Sequence, residues 1–170
     1  MSPEPHDLAT PRLRLAPFQP SEAGALHEIW MDPDVRRYLW DDQVLPPEQT
    51  AEIVERSGEM FREQGFGLWS IRLRLNNDLI GFGGFWHFRE PPELELILGV
   101  APWLQGTGIA TEAGAVLIRH AFEDLGFEEV RGSADAANTA SLRLMEKLGM
   151  RQERRATVQG LDTIFYGIRR

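Results

Sequence analysis

The sequence contains no cysteine among its 170 residues. This absence excludes disulfide bonds, thiolate metal sites and a covalent acyl intermediate on a cysteine side chain. The sequence also lacks any apolar run of about 18 residues, the length that a membrane-spanning helix needs. Residues 1–7 carry neither the basic nor the apolar segment of a secretory signal peptide. We therefore expect a soluble, cytoplasmic protein.

Positive charge is scarce as well, since 18 lysine and arginine residues face 26 aspartate and glutamate residues, for a formal net charge of −8. Proteins that bind nucleic acids broadly need basic patches that displace counterions, so nucleic acid is not an expected partner. An acidic surface suits a cationic partner such as an amine, although the same charge also serves ordinary solubility.

Motifs of several catalytic classes are missing. The four histidines show no H-x-x-x-H or H-E-x-x-H spacing, so no metal site is predicted. No G-x-S-x-G motif is present, so a hydrolase with a serine nucleophile is unsupported.

Hydrophobic residues make up 42% of the chain, enough to bury one sizeable core. We expect a single domain over residues 1–170, with a loose, proline-rich terminus over residues 1–10. The spacing of apolar residues predicts the order β-αα-βββ-α-β-α-ββ. The predicted strands cover residues 12–17, 68–75, 79–85, 93–100, 128–134, 151–158 and 161–169. The predicted helices cover residues 21–31, 47–64, 107–125 and 138–148, with a short helical turn near residues 35–39.

The most informative segment is residues 94–115, where an apolar strand ends at Pro102 and a glycine-containing turn opens a helix. The first backbone N–H groups of a helix have no intrahelical acceptor, and together with the helix dipole they attract anions. Gly106 and Gly108 carry no Cβ, so a phosphate can approach the main chain closely. The turn therefore predicts a site for a nucleotide-like diphosphate. A plain strand-to-helix turn is the alternative.

One candidate ligand for this turn is a dinucleotide. Gly106-Thr107-Gly108 matches the start of the G-x-G-x-x-G motif, but Thr111 occupies the third glycine position and the motif lies late in the chain. A nucleotide-binding oxidoreductase that takes NAD is therefore one alternative.

A longer pattern, Gln105-x-x-Gly108-x-Ala110, resembles the Q/R-x-x-G-x-G/A pyrophosphate loop of the GNAT superfamily of acyl-CoA-dependent N-acyltransferases. The RimJ/RimL-like branch of that superfamily is similar to this chain in three blocks, which keep their order and spacing over nearly half the chain. The blocks are the stretch from Glu95 to Ala113, then Asn138-Thr139-Ala140-Ser141, and then Glu146-Lys147-Leu148-Gly149-Met150. The resemblance implies an α/β fold of the GNAT type. In that fold a mixed central sheet of about seven strands is splayed between the fourth and fifth strands and flanked by helices.

The same resemblance implies an N-acetyltransferase that moves the acetyl group of acetyl-CoA directly to a primary amine. The acceptor is a protein N-terminal α-amine, as on ribosomal proteins, or the amine of a small molecule, and the sequence does not choose between them. Relatives frequently dimerise, so a homodimer is a further implication. A non-catalytic acyl-CoA-binding or regulatory module is the alternative, because it would keep the loop without working proton-transfer groups.

The resemblance also implies the contacts to acetyl-CoA. Leu98, Gly99 and Val100 would pair with the pantetheine arm as a false neighbouring strand, and a main-chain N–H near Leu98 would donate to the thioester oxygen. Gly99 fits a β-bulge at this point. Asn138 would contact the arm, and it is also a favoured helix N-cap residue. The pyrophosphate would be held by backbone N–H groups of the turn, which comprises Gln105, Gly106, Thr107, Gly108, Ile109, Ala110 and Thr111.

Two side chains are candidate catalytic groups by the same resemblance. Glu95 stands where the RimJ/RimL-like branch carries a strand glutamate that accepts the amine proton, directly or through water. Strand alternation places Glu95 on the same side of the strand as Ile97. Apolar neighbours there would raise the pKa of its carboxyl group, which is useful for a base. A solvated strand glutamate is the alternative. Ser141 would protonate the leaving thiolate, because Met145 stands where many relatives carry a tyrosine. Water as the acid, or a local backbone bond for Ser141, is the alternative.

Aromatic residues offer a candidate acceptor pocket. Trp40, Trp86 and His87 would line it, because aromatic faces attract cationic amines. Ordinary core packing is the alternative for these side chains.

Overall fold

The computed structural model describes residues 6–89 and 92–170, which form two β-sheets with helices packed against them. Every ladder that joins strands within these residues is antiparallel. The first sheet comprises, side by side, β1 (Leu8–Ala9), β2 (Leu13–Pro17), β3 (Leu68–Leu73), β4 (Leu79–Phe88) and β5 (Glu93–Val100). The second comprises β6 (Glu129–Asp135), β7 (Arg151–Val158) and β8 (Leu161–Arg169), with β8 in the middle.

The helices begin and end at residues suited to those positions. Asp32 caps one helix by accepting a 2.9 Å hydrogen bond from the N–H of Asp34, and Pro33 occupies its first position. Gly65 ends another in the left-handed conformation, with φ +81°, and donates to the carbonyl of Phe61. The helices are α1 (Ala23–Met31), α2 (Pro33–Leu39), α3 (Pro47–Gln64), α4 (Ile109–Glu123) and α5 (Thr139–Lys147). None of those in the described part of the chain combines the length and apolar character needed to cross a membrane.

The predicted order of helices and strands is confirmed, with three local differences: an added strand, a helical turn near residues 35–39 that is the full helix α2, and a later start of α4. Leu8–Ala9 adds an eighth strand by pairing with β2, whereas residues 1–5 of the predicted loose terminus lie outside the described residues. The predicted fourth and fifth strands are β5 and β6, and they form the facing edges of the two sheets, so the predicted splay lies between them. The helix predicted from residue 107 begins at Ile109, because Gly108 has φ +80° and ends the turn.

Two hydrophobic clusters lie on opposite faces of the first sheet, because consecutive strand residues point to opposite sides. Leu68 belongs to the smaller cluster, beneath α1, and Trp69 belongs to the larger one. The larger cluster extends from the first sheet to the second and includes Leu13, Leu117, Val130 and Ile164. One continuous core therefore holds β5 and β6 next to each other.

Candidate active site

The facing edges of β5 and β6 are not joined by any backbone hydrogen bond among the described residues. The carbonyl of Ile97 points toward β4, since its oxygen lies 3.4 Å from the place where a Cβ on Gly83 would sit. The Gly99 carbonyl meets Gly81 in the same way. Because backbone groups alternate in direction along a strand, the N–H and C=O of Leu98 point to the opposite edge, toward β6. This open edge can accept an extended, amide-containing ligand.

The prediction of a β-bulge at Gly99 is wrong. The β4–β5 ladder pairs residue for residue from Gly81 with Val100 to Phe88 with Glu93. Glycine is needed at position 99 for a different reason, because a Cβ there would lie 2.6 Å from Cζ of the Phe82 ring. The aromatic ring covers this part of β5, so Gly99 serves packing within the sheet.

The loop after β5 forms an open, N–H-lined turn. A 3-10 turn at Pro102–Leu104 leads into Gly106 and Gly108, which have φ +78° and +80°. Apart from its two chain neighbours, no atom of the described residues lies within 4 Å of the position that a Cβ on Gly106 would take, so the space beside the main chain is open. The first intrahelical bond of α4 runs from Glu112 N–H to the Gly108 carbonyl. The preceding N–H groups of the helix are therefore available to an anion.

All seven residues predicted to hold the pyrophosphate lie in this turn or in the first turn of α4. Gln105 to Gly108 are exposed, and the first helical residue, Ile109, is buried by its side chain. The Thr107 hydroxyl donates to the Leu104 carbonyl, so this side chain braces the turn. The residues that the local sequence pattern singled out thus form one continuous turn at the start of α4.

Arg12, on the strand segment before β2, lies against the same turn, and sequence reasoning missed it. Its Nη1 donates to the Thr107 carbonyl at 3.1 Å, and its Nε donates to Oε2 of Glu112 at 2.6 Å. Burial would raise the pKa of Glu112, but hydrogen bonds from Thr10 and Arg12 outweigh that effect, and the pKa is lowered. Because Arg12 and Glu112 are 100 residues apart in sequence, no local pattern could have paired them.

Glu95 is 5% exposed, and its carboxylate is held by two polar side chains. Oε1 accepts a 2.6 Å bond from Nη1 of Arg89, and Oε2 accepts a 2.8 Å bond from the hydroxyl of Ser133 on β6. Nη2 of Arg89 also donates to the Ser133 hydroxyl at 2.8 Å, which closes a triangle. The expectation of apolar neighbours is therefore wrong, because alternation along β5 could not show what the adjoining strand and turn supply. Hydrogen bonds that involve a charged group are shorter and stronger than those between neutral groups.

A cavity of about 170 Å³ opens beside Glu95. Three carboxylates and two guanidinium groups line it together with two aromatic rings, and one of these rings, Phe165, lies 3.6 Å beneath the Arg154 guanidinium. Burial first, and then a hydrogen bond to Glu146, raises the pKa of Tyr166, so this phenol stays protonated at neutral pH. The lining residues are Glu93, Glu95, Arg131, Glu153, Arg154, Phe165 and Tyr166.

Asn138 caps α5, because its Oδ1 accepts a 3.2 Å hydrogen bond from the N–H of Ser141. The Ser141 hydroxyl is half-buried and makes no hydrogen bond within the described residues, so it remains available as a donor. Met145 is buried at 6% exposure and packs against β6. Sequence reasoning did not identify Tyr38 of α2, whose hydroxyl donates to the carbonyl of Ala137, next to Asn138, at 3.4 Å.

Two of the three predicted pocket residues, Trp40 and Trp86, pack against the same hydrophobic cluster beneath α1, and His87 lies apart from them. Trp86 pairs with Glu95 across the β4–β5 ladder and so shares its face of the sheet. Trp40 packs on the buried Trp30 with ring centroids 5.5 Å apart. His87 points to the other face, where its Nε2 contacts the side-chain oxygen of Gln64 at 3.2 Å. Only Trp86 is thus placed beside the candidate base. Within the described residues, no group of three or more histidine or acidic side chains is arranged to hold a metal ion.

Residues 12–151 match the family described as acetyltransferase (GNAT) domain. The chain is similar in sequence to the uncharacterized N-acetyltransferase p20 of Bacillus licheniformis, with 26% identity over 149 residues, which are 86% of this chain and 83% of that protein. The structure of this chain is similar to that of an acetyltransferase from Agrobacterium tumefaciens str. C58, with a TM-score of 0.83 and 23% identity, over 96% of this chain and 94% of that chain. It is also similar to RimL, a ribosomal L7/L12 alpha-N-protein acetyltransferase in complex with coenzyme A, with a TM-score of 0.80, 17% identity, and coverage of 95% and 96%. These likenesses confirm the predicted fold.

Proposed function

The chain belongs to the GNAT family of acetyltransferases, and on that basis we propose that it transfers an acetyl group from acetyl-CoA directly to a primary amine. Direct transfer follows from the composition, because no cysteine is available to hold the acetyl group between two steps. The match over residues 12–151 and the core shared by both sheets support a single acetyltransferase domain.

The observation that carries the proposal is the meeting of two unpaired backbone surfaces at one end of β5. The outward N–H and C=O groups of Leu98 and Val100 suit the amides of a pantetheine arm. The free N–H groups at the start of α4, beside Gly106 and Gly108, suit a pyrophosphate. Asn138 follows β6 on the opposite side of the opening. Residues of the chain therefore match the successive parts of acetyl-CoA in their order.

Proton transfer is assigned to side chains on β5 and at the start of α5. When bound, acetyl-CoA supplies the thioester that the amine attacks. Glu95 accepts the proton of the attacking amine, directly or through water, while Arg89 and Ser133 hold its carboxylate in place. The Leu98 N–H donates toward the carbonyl oxygen on which negative charge grows. Ser141 or a water molecule returns a proton to the thiolate.

The acceptor is a primary amine of a protein N-terminus or of a small molecule. Three carboxylates, Glu95 among them, and two guanidinium groups line the cavity, so the lining carries a formal excess of one negative charge that suits a cationic group. An α-amine has a reference pKa of about 8, against about 10.4 for lysine, so it loses its proton more readily. The acetyltransferase RimL, which shares the fold, acts on an α-amine of ribosomal protein L7/L12 according to its description. We therefore place the N-terminal α-amine first among the acceptors to test.

The test combines a binding assay with an acceptor panel. Calorimetric titration with CoA and with NAD should show binding of CoA alone, and release of free CoA thiol from acetyl-CoA should depend on an added amine. Peptides with a free α-amine, peptides with a blocked α-amine and one lysine, and small amines form the panel. NAD binding would favour the oxidoreductase alternative, and CoA binding without turnover on any amine would favour a non-catalytic module.

Two matched variants test the base. E95Q should lower kcat by about 10²- to 10⁴-fold, the range for loss of a general base, with little change in CoA affinity. E93Q removes a second carboxylate that lines the cavity and contacts Arg89, at 3.3 Å, so it separates the loss of a nearby negative charge from the loss of the base. Unchanged turnover in E95Q would remove Glu95 from the mechanism.

A further inference from the structure

We propose that Arg12 binds the diphosphate directly, as the cationic side chain of the turn at Gly106 to Gly108. The inference rests on the proposed binding of acetyl-CoA at this turn. It adds a side-chain contact to a site otherwise built from backbone N–H groups, and it places that side chain on the strand segment before β2, far from the turn in sequence.

The guanidinium is fixed on two of its three nitrogens. Nε is bound to Glu112 at 2.6 Å, and Nη1 is bound to the Thr107 carbonyl at 3.1 Å. Nη2 makes no hydrogen bond within the described residues, and it lies 3.4 Å from the place where a Cβ on Gly108 would sit. The side chain is 48% exposed, so a ligand can reach this nitrogen. Because the guanidinium is planar and is held at Nε and Nη1, its remaining nitrogen, Nη2, points toward the opening of the turn.

The charges around the turn require such a cation. Glu112 stands in the first turn of α4, and its lowered pKa keeps it ionised at neutral pH, where its negative charge would repel a diphosphate. Arg12 neutralises that carboxylate. No other lysine or arginine in the described part of the chain donates a hydrogen bond to residues 105–112. Two other cations, Arg119 and Lys147, line a cavity that reaches Thr111, but neither donates a hydrogen bond to the turn within the described residues.

Titration calorimetry with CoA tests the assignment. R12Q should raise the Kd of CoA by about ten- to a hundredfold, the change that loss of a charge-assisted hydrogen bond produces. R12K should fall between R12Q and the wild type, because an ammonium keeps the charge but cannot bind Glu112, Thr107 and a phosphate together. Binding of acetyl-pantetheine, which lacks the diphosphate, should be the same in all three proteins.

The double variant R12Q/E112Q separates direct contact from simple neutralisation. If Arg12 touches the diphosphate, the double variant binds CoA as weakly as R12Q within about threefold. Wild-type affinity in the double variant, or wild-type affinity in R12Q, would overturn the assignment. Equal weakening of acetyl-pantetheine binding would also overturn it, because the loss would then lie outside the diphosphate site.

Two further controls keep the outcomes distinct. If R12Q does not fold, R12K decides alone, and an unchanged Kd for CoA in R12K would refute the contact. A wild-type protein that binds no CoA would defeat the proposed function and this inference together. A wild-type protein that binds CoA, beside an R12Q variant that binds it equally well, defeats the inference only.

Discussion

Replacing Arg89 with glutamine removes the cation that holds the buried carboxylate of Glu95. Breaking a buried ion pair from one side costs about 3–5 kcal/mol, because the remaining charge stays buried without its partner. Arg89 keeps 23% of its side-chain exposure, and Ser133 still donates to Glu95 in the variant. We therefore expect R89Q to lower the free energy of unfolding by about 3 kcal/mol, the low end of that range.

The reverse change, E95Q, should cost less. Arg89 lies partly in solvent and keeps a second carboxylate, Glu93, at 3.3 Å, so its charge is not stranded. We expect a loss of about 1 kcal/mol, the typical net value of one hydrogen bond. In the double variant R89Q/E95Q no buried charge is left, so its loss should be smaller than the sum of the two single losses by about 1–2 kcal/mol.

Urea unfolding of the four proteins at neutral pH measures these differences. A loss below about 0.5 kcal/mol in R89Q, or additive losses in the double variant, would show that the Arg89–Glu95 pair does not hold the carboxylate.

Two other changes test the turn and the sheet. The pKa of Glu112 lies below its ordinary value of 4.5 in the folded protein, because hydrogen bonds from Thr10 and Arg12 outweigh burial. The ionised Glu112 therefore stabilises the fold above pH 4.5, and this stabilisation is lost as the pH falls through the lowered pKa. Unfolding curves between about pH 3 and pH 7 should show a steeper acid loss for the wild type than for E112Q, and parallel curves would contradict the pairing. Gly99→Ala should lower stability by about 1–3 kcal/mol, because its Cβ would lie 2.6 Å from the Phe82 ring, and an unchanged unfolding midpoint would show that the ring moves aside freely.

The parts of the site that the sequence predicted are those whose chemistry is local. Gly106 and Gly108, four and six residues after Pro102, were enough to predict an open turn before α4, since left-handed backbone and missing Cβ atoms belong to the residues themselves. The start of α4 differed by two residues because Gly108 occupies the cap position. The order of helices and strands was equally accessible, as the boundaries of α3 and β5 show.

The parts that the sequence did not predict depend on contacts between distant segments. Ser133 lies 38 residues from Glu95, and Arg89 reaches it from the turn after β4, so the alternating pattern of β5 could place the glutamate on a face but could not identify its partners. The placement of Trp86 and His87 on opposite faces could have been predicted from the sequence, because strand alternation alone places consecutive residues on opposite faces.

These two groups of residues have different roles in the proposed reaction. Recognition of acetyl-CoA uses main-chain groups of β5 and α4, so side-chain identity matters little there and the fold itself supplies the site. Charge control uses side chains from distant segments: Arg12 opposes the carboxylate at the turn, and Arg89 opposes the carboxylate on β5. In this proposal Arg12 offsets a carboxylate that would repel phosphate, and Arg89 holds the buried carboxylate of the candidate base in place. In the proposed reaction, the acidic chain thereby provides an anion site and a base held by Arg89 within the reach of one bound ligand.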